Sequence, residues 1–93
     1  MILYNRLINE LPEGVVHITR PNDWGNPYMI GKHGNRSQVC MLFDHLMRTR
    51  MQDPVWVERL RKLSQAPGLA CVCSPQQCHG DVIIKYMKEY GFV

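Results

Sequence analysis

Three cysteines and a histidine, Cys71, Cys73, Cys78 and His79, fall within nine residues of a 93-residue chain. No other stretch gathers so many side chains able to ligate a metal, attack an electrophile or hold an anion. Zinc is one reading: all four are competent ligands, and because Cys71 and Cys73 share a strand face, a site would recruit two or three of the four together with His33. Structural zinc sites use paired ligands spaced by two to four residues, however, and the adjacent Cys78 and His79 are poorly placed to point at one ion. A reactive thiol is another. Cys78 beside His79 at a helix N-terminus has surroundings that lower a thiol pKa, which makes Cys78 a candidate nucleophile and His79 its base, although no oxyanion hole can be located. The third is an anion site. Unpaired amides where a loop opens a helix favour phosphate, and Arg20, Arg36 and His79 supply charge or donors while Trp24 stacks on a base. Against all three stands a structural reading, in which the cysteines pack and the loop is a helix cap.

These residues have to be positioned by the elements around them. Pro67-Gly68 leads into an apolar run, Leu69 to Cys73, that reads as a buried strand stopped by Ser74-Pro75. From Asp81 the apolar residues Ile83, Met87 and Tyr90 recur at helical spacing and Gly91 closes the end. Upstream, Val15 to Arg20 is β-branched and bounded by Pro21, a second strand; Pro21 to Pro27 is loop, with Trp24 set between turn formers. Trp24 reads either as a lid folded over the core or as a stacking residue. Tyr28 to Ile30 reads as a short strand running into a turn at 31–34. Ser37 caps a helix over 38–50, and Asp53-Pro54 opens another carrying Trp56, Leu60 and Leu63. Met1 to Glu10 fits a short amphipathic helix, with strand as the alternative for 2–4. The expected architecture is one α/β domain over residues 1–93, a few-stranded sheet with its principal strands parallel and three to four helices. In such a sheet ligands bind beyond the strand C-termini, which puts 20–26 and 73–80 on one edge.

Composition narrows the setting. Ninety-three residues allow one small core, and no apolar run approaches the roughly 18 residues that span a bilayer. The N-terminal residues lack the apolar core of a secretory signal, so a soluble cytoplasmic protein with free thiols or metal thiolates is expected. A net charge of +3, from 11 basic and 8 acidic residues, permits an anionic partner without declaring one.

Arg20, Trp24-Gly25-Asn26-Pro27-Tyr28, Ile30-Gly31-Lys32, Gly34, Arg36 and Leu69-Ala70-Cys71-Val72-Cys73, followed by Pro75 and Cys78-His79-Gly80-Asp81-Val82, resemble a bacterial and phage family. It is catalogued as domain of unknown function 4326. The resemblance runs from about residue 15 to 87, with Val72 standing where the family commonly has a tryptophan. It implies an α/β domain whose two signature blocks are 20–28 and 71–81, and a phage origin that would place the protein in a host cytoplasm. The reading that follows is a domain that binds a nucleotide-like or nucleic-acid phosphate at the Cys/His loop. Its ligand residues would be Arg20, Trp24, Gly25, Asn26, Arg36, Cys73, Pro75, Cys78, His79, Gly80 and Asp81. The competing reading is a phage factor that docks on a host protein, with the loop structural or zinc-binding.

Overall fold

The structure, a computed structural model, describes residues 1–93. Its centre is β3, Gly68–Cys71, a four-residue strand in which every residue is buried. Alternate residues of a strand face opposite sides, so burial of all four means that both faces of the sheet are covered, as a parallel sheet requires. Two strands flank it, β1 (Ile2–Asn5) and β2 (Val16–His17), both parallel to β3 and giving the order β1-β3-β2. Three helices complete the chain: α1 Arg36–Arg50, α2 Pro54–Leu63 and α3 His79–Glu89. Phe43 and Met47 of α1, Leu60 of α2, Leu69 of β3 and Ile83 and Met87 of α3 meet in one buried cluster with Ile18 and Trp24. No helix is long and apolar enough to cross a membrane.

The α/β class, the parallel pairing of the principal strands and three helices agree with the sequence reading. The N-terminus does not follow the helical spacing. Residues 2–5 form β1 and the chain then turns, leaving Leu7 and Ile8 71% exposed. Pairing with a buried central strand outweighs a helix too short to be stable by itself. The strand read over 15–20 shrinks to a two-residue ladder, although Ile18 N–H still donates to the Ala70 carbonyl at 3.0 Å. β3 also stops two residues early, so Cys73 lies beyond it. Tyr28 to Ile30 is not a strand; only one bridge, Ile30 to Gly34, remains across the turn. Helix α1 opens two residues sooner than read because Asn35, not Ser37, caps it: Asn35 Oδ1 accepts from Gln38 N–H while Gln38 Oε1 accepts from Asn35 N–H, a reciprocal pair. Asp53 and Pro54 start α2 as their types require.

Candidate functional site

The loop after β2 is organised by what it buries. Trp24 is only 6% exposed and meets Trp56 of α2 edge to face, with ring centroids 5.4 Å apart. The Arg59 guanidinium lies 4.1 Å from the Trp56 centroid and pairs with Asp23 at 2.9 Å, closing that corner. Trp24 is therefore a core lid and not a stacking platform, because the face a base would need is spent on packing. Gly25 passes so close to Arg20 that a Cβ there would sit 2.7 Å from its backbone nitrogen. Asn26 is buried, and both ends of its side-chain amide are hydrogen-bonded. Its Nδ2 donates to the Val39 carbonyl of α1 at 3.1 Å, its Oδ1 accepts from Tyr28 N–H, and its own carbonyl accepts from Arg20 Nη1 at 2.7 Å. These bonds tie the loop to α1 and fix where Arg20 stands.

The Cys/His loop is built as a helix start. Cys78 is the N-cap of α3; its Sγ accepts from Gly80 N–H at 3.4 Å, and Asp81 Oδ2 accepts from Cys78 N–H at 3.1 Å. A Cβ on Gly80 would lie 2.7 Å from Leu3 Cδ1 and 3.0 Å from Ile18 Cδ1, so glycine lets the helix end sit against β1 and the chain leaving β2. His79 secures the same junction: its Nε2 is 2.7 Å from the Ile18 carbonyl and its ring meets Phe43 edge to face. A carbonyl can only accept, so Nε2 carries the proton and Nδ1, 3.5 Å from Cys78 Sγ, is left as an acceptor. Burial holds the His79 pKa below its ordinary value, and nearby Arg20 adds to this against the pull of the Ile18 carbonyl. Asn5, at the end of β1, completes the frame by donating from Nδ2 to the Ser74 carbonyl at 2.8 Å.

Several roles read from sequence change accordingly. Cys78 is 2% exposed, and burial pushes its thiol pKa up rather than down, the opposite of an activated nucleophile. His79, neutral and committed to a backbone carbonyl, is not a free base. The first turn of α3 is capped by Cys78 Sγ and carries the Asp81 carboxylate, so its amides do not make an open anion nest. The zinc set does not assemble. Cys71 is buried in β3 with Sγ accepting from Ser74 N–H, Cys73 lies past the strand, and His33 Nδ1 accepts from Met29 N–H. No three His, Cys, Asp or Glu side chains come together as a ligand set. All four cysteines are free thiols.

Between the two blocks lies a cleft of about 370 Å³. It opens beyond the C-terminal ends of all three strands: Arg6 follows β1, Thr19 and Arg20 follow β2, and Val72 and Cys73 follow β3. Arg6, Arg20 and Arg36 line it, and no Asp or Glu does. None of these arginines is in an ion pair; the salt bridges of the chain use Arg48, Arg59, Arg61 and Lys85. Arg20 and Arg36 each give one N–H to a backbone carbonyl, of Asn26 and of Gln77, which aims them and leaves their other donors free. Tyr28, Met29 and Ile30 form an apolar side, and Cys40, Cys73, Cys78 and His79 also contribute to the lining.

Of the residues read as ligand-binding, Arg20, Asn26, Arg36, Cys73, Cys78 and His79 line this cleft; Trp24, Gly25, Pro75, Gly80 and Asp81 do not. Arg6 was missed. Reading residues 2–4 as a strand parallel to the next would have put it at the same edge. Tyr28 and Ile30 stand among the residues that carry the family resemblance, but neither they nor Met29 are among the sequence-read ligand residues. Compared with known proteins, the chain matches over residues 4–89 a family described as a domain of unknown function, DUF4326, a longer span than the 15–87 read from its motifs. No curated protein and no solved structure matches it.

Proposed function

We propose that this chain, which belongs to the DUF4326 family, binds a nucleotide-like or nucleic-acid phosphate in the cleft at the C-terminal edge of its sheet. One observation carries the reading: three arginines, Arg6, Arg20 and Arg36, face a single cleft that has no acidic lining and no ion pair to neutralise them. Natural surfaces intersperse charges of both signs, and guanidinium groups left without carboxylates are matched to phosphate by their planar fork of donors. The neighbouring Tyr28, Met29 and Ile30 favour a ligand with an apolar or aromatic part beside its phosphate. The role of Cys78, His79, Gly80 and Asp81 in this reading is to hold the edges of the cleft in register.

The test is binding of inorganic phosphate and of nucleotides, by NMR titration or calorimetry, to wild type and to Arg6→Ala, Arg20→Ala and Arg36→Ala. Each loss of a charge-assisted contact should weaken binding by about 1.5–3 kcal/mol, and affinity should fall with salt. Variants that keep their melting temperature and still bind phosphate as wild type does would remove the cleft as an anion site. The host-protein reading would then stand alone, and pull-down from host lysate against salt-dependent retention on phosphocellulose separates the two.

A further inference from the structure

Arg6 and Arg20 face two hollows at once. On one side is the cleft, with its apolar side at Tyr28, Met29 and Ile30. On the other is a shallow groove lined by Arg6, His17, Thr19, Arg20, Pro21 and Asn22, again without a carboxylate and, Pro21 apart, polar throughout. Thr19 belongs to both as well, so the two hollows adjoin along a ridge formed by these three residues. His17, the last residue of β2, is exposed and lines the groove. A single phosphate held on the ridge would use neither the apolar side nor the groove. A phosphate chain attached to a nucleoside would use both.

We infer that the ligand is a nucleotide with two or more phosphates in tandem, its nucleoside in the cleft against Tyr28, Met29 and Ile30 and its phosphate chain crossing the Arg6–Arg20 ridge to His17. The inference rests on the anion reading of the cleft and extends it. The cleft accounts for the nucleoside: its volume of about 370 Å³ is that of a small-molecule site, and Tyr28, Met29 and Ile30 give it an apolar side for a base. The groove accounts for the chain, because each added phosphate needs its own donors. Beyond the shared arginines, the groove brings an imidazole N–H from His17 and the Asn22 side chain, whose Oδ1 is already used as the acceptor for Trp24 N–H.

The experiment compares inorganic phosphate, pyrophosphate, the four common nucleoside diphosphates and an eight-residue oligothymidylate on wild type and His17→Gln, following affinity and the His17 ring resonances. Pyrophosphate should bind wild type roughly tenfold tighter than phosphate and should shift the His17 resonances, which phosphate alone leaves in place. At least one nucleoside diphosphate should bind tighter than pyrophosphate. In His17→Gln the ratio of pyrophosphate to phosphate affinity should drop several-fold. Equal affinity for phosphate and pyrophosphate, an unchanged ratio in the variant, or nucleoside diphosphates that are all no better than pyrophosphate would overturn the inference. So would His17 resonances that move only with the oligonucleotide, which would assign the groove to a polynucleotide strand. Failure here leaves phosphate binding through the arginines intact, whereas loss of the anion reading itself appears as arginine variants that bind phosphate normally.

Discussion

Replacing His79 by phenylalanine separates the frame of this protein from its cleft. The ring keeps its place beside Phe43, which it meets at 5.1 Å, but the bond from Nε2 to the Ile18 carbonyl is lost. Ile18 is fully buried, so its carbonyl would lose a donor in a region water reaches poorly. Leaving a buried acceptor unsatisfied costs about 1–3 kcal/mol. In a domain of this size each kcal/mol lowers the melting temperature by about 4–8 °C, so His79→Phe should melt roughly 5–20 °C below wild type. A second signature belongs to the imidazole alone. Burial depresses its folded-state pKa below the ordinary 6.5, so below that pH the unfolded chain binds a proton that the folded one does not. This contribution is complete above pH 6.5 and is lost as the pH falls toward the depressed value, with a slope of at most about 1.4 kcal/mol per pH unit. Urea unfolding of both proteins between pH 8 and pH 5 measures it: wild type should lose stability across the lower half of the range, and His79→Phe should lose less. If the variant melts with wild type, or keeps the same acid slope, His79 is not the neutral brace described above.

Other perturbations probe the remaining joints. Gly25→Ala drives a Cβ to 2.7 Å from the Arg20 backbone nitrogen; since a backbone has to move, thermal melting should show a loss of about 1–3 kcal/mol. Asp81→Ala removes the carboxylate that accepts from Cys78 N–H and should cost about 1 kcal/mol by the same measurement. Under native conditions iodoacetamide should label Cys73 first, because it is half-buried at the cleft while Cys40, Cys71 and Cys78 are buried; in denaturant all four should react. Labelling of Cys78 ahead of Cys73 would contradict both its burial and its raised pKa.

What could be read from the chain alone follows how local each signal is. Asp53-Pro54 and the period of Trp56, Leu60 and Leu63 act within one helix, and α2 begins where those residues place it. The parallel pairing of the two principal strands followed from the helices between them. The identity of β1 is not local. Ile2 to Asn5 becomes a strand because Gly68 to Cys71 offers it a partner more than sixty residues away, and Leu7 and Ile8 mimic a helical stripe that the folded chain leaves in solvent. The same distance hid Arg6. Trp24 shows the other limit: residue type announces a large aromatic on a loop, but only the position of Trp56 decides whether it faces core or ligand.

The two signature blocks make sense as halves of one brace around the end of the sheet. His79 of the second block holds Ile18, two residues before Arg20 of the first; Asn26 of the first block holds Val39 in α1, whose Arg36 reaches back to the Gln77 carbonyl in the second. Asn5 closes the circuit from β1 to Ser74. Each bond is short-range in space and long-range in sequence, so no single block can be in place without the other. Paired polar groups of this kind, buried at His79 and Asn26, fix geometry because any displacement there leaves a donor or acceptor unpaired. The geometry fixed here includes the spacing of Arg6, Arg20 and Arg36 around one cleft. The cysteine and histidine residues that look most like chemistry in the sequence thus serve position, and the arginines scattered at 6, 20 and 36 are the groups left with donors to spare.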